Sequence, residues 1–75
     1  MYTPRDELKK RIENNFKYHA PQEGQPERYL AIRNAAREFA NLLIHTCPET
    51  REQSLALTAL EESVMWANAS IARNE

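Results

Sequence analysis

Residues 50–75 read TREQSLALTALEESVMWANASIARNE, and this stretch decides the fold. Thr50 through Gln53 has the T-x-x-Q pattern of a capping box, in which hydroxyl and amide satisfy the free N–H groups at a helix start. Leu57, Leu60, Val64, Ala67 and Ile71 then recur at alternating steps of three and four, the spacing of a helical seam. Leu55, Ala59 and Trp66 add a second apolar flank, with Trp66 expected in the core. Ala56, Ala59, Ala67, Ala69 and Ala72 would let another helix approach closely. One partner helix cannot cover both flanks, so the surplus predicts association between copies.

The partner helix lies immediately upstream. Pro26 suits the first turn of a helix, where its missing N–H costs nothing, and Glu27 suits the positive end of the helix dipole. Tyr29, Ile32, Ala36, Phe39, Ala40 and Leu43 form one apolar face. Pro48 stops the helix or closely follows its end. Two long helices with a short link form an antiparallel hairpin. Further upstream, Thr3 is the expected N-cap of a short first helix, with Pro4 at its first position and Asp6 and Glu7 in the first turn. Leu8, Ile12 and Phe16 give it a narrow stripe, and it should end near Asn14–Phe16, with Phe16 packed. Lys17 to Gln25 reads as a loop, with Pro21 and Gly24 marking turns. The fold class is therefore all-α: a short N-terminal helix plus a long antiparallel hairpin, over a single domain of residues 1–75.

Size and composition restrict how such a chain is stabilised. A core of 75 residues is marginal unless disulfides, a metal or self-association support it. Cys47 is the only cysteine, so no internal disulfide forms, and two separated histidines, His19 and His45, do not make a zinc site with it. Self-association remains. A lone cysteine fits a reducing compartment. No apolar run approaches the ~20 residues that span a bilayer, and MYTPRDELKK lacks the apolar core of a signal peptide. The sequence thus reads as a cytoplasmic protein. A net charge of −1 gives no field toward duplex DNA.

No catalytic or cofactor signature emerges. Ser54, Ser63 and Ser70 have no histidine near them in a recognisable motif, and one glycine excludes a phosphate loop. Glu49–Glu52 and Glu61–Glu62 read as solvated helix faces, and His45 as a side chain at the negative helix end. Neither an enzyme nor a bound cofactor or metal is expected. What stands out is NNFKYH, residues 14–19, followed by Arg28, Tyr29 and Arg33. Aromatic rings stack on nucleobases, and Arg, Lys and helix N-termini hold phosphates. Arg33 lies one turn beyond Tyr29 on the same side of the helix. Arg51 and Ser54 could cap the last helix or meet an anion there, and Asn68, Arg73 and Asn74 could satisfy its final carbonyls.

The run NNFKYHAP (14–21), with the downstream Gln, Arg28-Tyr29 and Ile32-Arg33, followed by residues 50–75, resembles the phage anti-CBASS sponges. Their hairpin domain is shared with anti-Thoeris sponges. The likeness runs from about Arg11 to Asn74, and positions 1–10 are less distinctive. It implies a helical hexamer, a trimer of dimers, that holds cyclic dinucleotides, cyclic trinucleotides or cyclic ADP-ribose isomers without cleaving them. Such sequestration would starve the immune effector of its messenger in the host cytoplasm. Carried onto this chain, the resemblance implies that Tyr18 of the FxYH motif and Arg33 form the dinucleotide pocket. Where a relative has lysine at that position, arginine would still clamp phosphate, and could do so bidentately. It further suggests a second site for larger rings at Asn15 and Arg73, with His19, Gly24 and Arg28 as additional ligand contacts. The competing reading is a structural or regulatory helical oligomer that binds a protein or nucleic-acid partner, which needs only the amphipathic stripes. A cyclic-nucleotide hydrolase would need a metal or base constellation that the sequence does not offer.

Overall fold

In the computed structural model, which describes residues 2–75, the chain forms α1 (Asp6–Asn15), α2 (Gln25–Thr46) and α3 (Arg51–Asn74), with no strand among the described residues. The hairpin is α2 and α3. They carry the helix–helix contact of the fold, joined by a link at residues 47–50. At 1.5 Å per residue, helices of 22 and 24 residues are each about 35 Å long.

The ends of the hairpin follow from local chemistry. Cys47 is extended at φ −109°, ψ 140°, as a residue before proline prefers, and this ends α2. Thr50 caps α3 by accepting from the Gln53 backbone N–H at 3.3 Å. The expected box is completed differently, however. The Gln53 side chain donates to the Cys47 carbonyl at 3.1 Å, so it bridges the whole link rather than returning to the cap residue. Gln53 is buried there, which makes it a clasp at the hairpin's closed end.

The apolar seams meet as their periodicity predicts. Leu57, Leu60, Val64 and Ala67 are half-buried, and Ile71 is the buried apolar residue. Opposite them, Tyr29, Ile32, Ala36, Ala40 and Leu43 are half-buried, while Phe39 stays exposed at the edge of the face. Trp66 corrects the sequence expectation. It is 60% exposed, because it lies on the second flank rather than on the seam, and its indole N–H donates to Glu62 Oε1 at 3.3 Å.

The first helix departs further from expectation. It begins after Arg5, which has no capping side chain, rather than after Thr3. Thr3 and Pro4 lie outside the helix, and the backbone N–H groups of Leu8 and Lys9 turn back to the Arg5 carbonyl. Asp6 and Glu7 do occupy its first turn. No residue of α1 is buried, and Phe16 is 86% exposed rather than packed. A stripe only three residues long covers too little area to dock a helix against the hairpin.

The described residues span 50 × 38 × 13 Å, one helix thick in the smallest dimension. Their radius of gyration of 16.9 Å exceeds the roughly 11 Å of a compact domain this size. Leu30, Phe39, Leu42, Ile44, Leu55 and Met65 face outward. No described helix is long and apolar enough to cross a membrane.

Candidate ligand-binding site

Two clefts flank the C-terminal half of α3, one on each side. The first, about 310 Å³, lies between the end of α1 and α3 and is lined by Arg11, Asn15, Trp66, Ser70 and Arg73 among others. Arg11 and Asn15 are one turn apart on α1, and Trp66, Ser70 and Arg73 recur at steps of four and three on α3. Each helix therefore turns one face into the cleft. The second cleft, about 520 Å³, lies across the hairpin and is lined by Tyr29, Arg33, Asn68, Ala69, Ala72 and Arg73. Both volumes fall within the roughly 300–1,000 Å³ of small-molecule sites.

Arg73 borders both clefts, and no carboxylate lines either one. A chain of net charge −1 thus gathers Arg11, Arg33 and Arg73 around two adjoining cavities, each with one large aromatic side chain. Alanines 69 and 72 keep the second cleft open by supplying almost no side-chain volume. This combination of guanidinium groups, a ring and no opposing acid suits an anionic ligand with a planar base.

The first cleft is held open by a polar relay. His19 Nε2 meets the Asn14 carbonyl at 2.8 Å, and Asn14 Nδ2 donates to the Arg73 carbonyl at 3.0 Å. The loop, the end of α1 and the end of α3 are thereby fastened at one point. A second clasp gathers on Glu75. Its carboxylate accepts from Arg28 at 2.7 Å and from the buried Gln25 amide at 3.4 Å, and its carbonyl accepts from Gln22 at 2.9 Å. The Arg28 and Gln25 hydrogen bonds hold the Glu75 carboxyl below the usual carboxylate range. The Glu75 bond likewise raises Arg28. Gln25 also accepts from the Gln22 N–H at 3.0 Å, closing the loop onto the start of α2.

These contacts distribute the residues singled out by sequence. Asn15 and Arg73 come together in the first cleft, and Arg33 joins Arg73 in the second. Tyr18 is 81% exposed and lines neither. His19 is engaged in the relay, and Arg28 in the clasp. Gly24 sits at φ +83°, the turn into α2, where its role is conformational. Arg11, Trp66 and Asn68 line the clefts without having been singled out as ligand contacts. The step from Trp66 to Ser70 to Arg73, off the apolar seam, is the signal that marks the face of Trp66. Asn74 donates to the Ser70 carbonyl at 2.9 Å, as a residue satisfying final carbonyls should, whereas Arg73 and Asn68 line the clefts.

Among the described residues, the fold is an all-helical hairpin that carries a cationic, ring-bearing pair of clefts. The chain belongs to the family described as "Acb2/Tad1, hairpin domain", whose sequence model matches residues 8–72. This is the anti-CBASS and anti-Thoeris sponge family, a family of cyclic-nucleotide-binding domains, and membership gives the chain a sequestering role. Neither a search of curated proteins nor one of solved structures returned a match.

Proposed function

We propose that this chain is a non-catalytic sponge for cyclic di- or trinucleotide messengers, extending to cyclic ADP-ribose isomers. It lowers the free messenger in the host cytoplasm during infection and so prevents activation of CBASS- or Thoeris-type effectors. The observation that carries this reading is the pair of acid-free clefts sharing Arg73. In the first, Asn15 and Arg73 hold the larger rings, with Trp66 as a stacking surface. In the second, Arg33 clamps a phosphate of a dinucleotide, and Tyr18 stacks on a base from the adjacent loop or from a neighbouring copy. His19 and Arg28 act near the ligand by fixing the loop, and Gly24 by shaping it.

The working unit is a hexamer built as a trimer of dimers, from one hairpin domain per chain. Two features support assembly: a plate one helix thick, and a row of large apolar side chains on its outer faces. Both favour a state in which copies cover one another.

Calorimetric titration with a panel of cyclic dinucleotides, cyclic trinucleotides and cyclic ADP-ribose isomers tests the function. At least one member should bind with a Kd below micromolar and be recovered intact after the protein is heated. A linearised product would make the chain a nuclease, and no binding across the panel would remove the sponge role. Light scattering should return six copies. If Tyr18→Ala and Arg33→Ala leave the biological effect intact while changes on the exposed apolar faces abolish it, the structural-oligomer reading takes its place.

A further inference from the structure

The Asn68 side-chain oxygen, Oδ1, is buried and has no hydrogen-bond partner. An amide on a helix surface ordinarily turns outward to water, and folded proteins leave few buried acceptors unpaired because each one costs stability. A sequence that keeps such a group against its own stability does so most often where it functions. Asn68 borders the second cleft, and the donors around that cleft are Tyr29, Arg33 and Arg73.

Arg33 is the donor best placed to complete it. It lines the second cleft beside Asn68 and also the apolar groove formed with Leu60, Glu61 and Val64, so it borders both. Its guanidinium makes no ion pair among the described residues, where Arg28–Glu75 is the pair present. Arg73 follows Asn68 by five positions on the same helix, outside the steps of three and four that make side chains direct neighbours. A guanidinium has five N–H donors in a planar fork, so one edge can serve an amide oxygen while the other grips a phosphate.

We infer that Asn68 is a positioning residue for Arg33. When a cyclic dinucleotide phosphate draws the guanidinium into the cleft, an inner Arg33 N–H donates to Asn68 Oδ1 and the outer edge faces the phosphate. The orphan acceptor is satisfied only in the bound state, so its pairing adds to affinity and not to the stability of the free protein. This rests on the reading of Arg33 as the phosphate clamp.

Asn68→Leu removes the acceptor at similar volume, and Asn68→Ala removes it without filling the space. Both go into thermal melts and into calorimetry with the cyclic dinucleotides of the panel, each also in an Arg33→Ala background. The leucine variant should keep or raise Tm. Both variants should bind about tenfold more weakly, the effect of one charge-assisted hydrogen bond, and that loss should vanish once Arg33 is alanine. A Tm drop shared by both variants makes the amide a structural member and overturns the proposal. So does a tenfold loss that persists without Arg33, because Asn68 then acts elsewhere. Wild-type protein that binds while Asn68→Leu binds equally well refutes the positioning role alone. Wild-type protein that binds none of the panel refutes the sponge reading, and the positioning role with it.

Discussion

The first helix and the hairpin are both helical, yet they are held by different physics. The hairpin joins two seams of apolar side chains, with Ile71 buried and nine others half-buried along them. The first helix has no buried residue, and only Asn14 and Asn15 at its end are half-buried. It is fastened at its C-terminal end by Asn14 to the Arg73 carbonyl and by His19 to the Asn14 carbonyl. Apolar burial is continuous and tolerant of small shifts, whereas a pair of directional bonds acts at a point. One wall of the first cleft therefore stands on the firm part of the molecule and the other on the loose part.

The largest difference should appear on truncating apolar residues. Ile71→Ala should cost about 2–4 kcal/mol through lost burial and the cavity left behind, while Ile12→Ala on α1 should stay within about 0.5 kcal/mol. Denaturation in urea measures both. Equal losses would mean that α1 shares the core after all. Hydrogen exchange gives the same contrast without mutation: amides of α1 should exchange with those of the open loop, and the mid-hairpin amides should be the slowest.

Next in size are the Gln53 clasp and the Gly24 turn. Gln53→Ala leaves the Cys47 carbonyl without its donor and should cost about 1–2 kcal/mol. Gly24→Ala should cost about 1 kcal/mol, because a side chain at φ +83° is strained even though the space beside it is open. The two differ in consequence. Gln53 closes the far end of the hairpin, so its loss should lower stability and leave ligand affinity unchanged. Gly24 sets the path of the loop, so its loss should also weaken binding, read by the same calorimetric titration.

What was legible in the sequence divides along the same line. The hairpin was readable because seams at steps of three and four, a capping Thr50 and a stopping Pro48 all describe one chain segment and its neighbour. Asn15 with Arg73 was readable through the family resemblance, and the two do border one cleft. The start of α1 was not, since Thr3 and Pro4 look like a cap and first turn but the helix opens after Arg5. Phe16 and Trp66 were misplaced by their composition: large rings predict burial, and a plate one helix thick has no interior to receive them. The Glu75 clasp joins residues about fifty positions apart through polar groups, and no periodicity encodes such a contact.

The smallest effect concerns that clasp. Arg28 and Gln25 hold the Glu75 carboxyl below its ordinary range, so the folded state prefers its charged form. The resulting stabilisation is fully present above the ordinary carboxylate pKa. It is lost as pH falls through the depressed value, when protonation removes the acceptor that Arg28 and Gln25 share. Arg28 is shifted upward and stays charged throughout, so Glu75 alone sets the window. The groups involved are exposed to solvent, which screens the pair, so global Tm should hardly move. The local signal should be clear. In an NMR titration from neutral to acidic pH, the Gln22, Gln25 and Arg28 resonances should shift together through a midpoint below that of an ordinary glutamate, while the methyl resonances of Leu57 on the hairpin seam stay still. Glu75→Gln should abolish that midpoint, because the carboxamide has no proton to gain in this range. A midpoint at the ordinary value would mean that the clasp is not formed in solution.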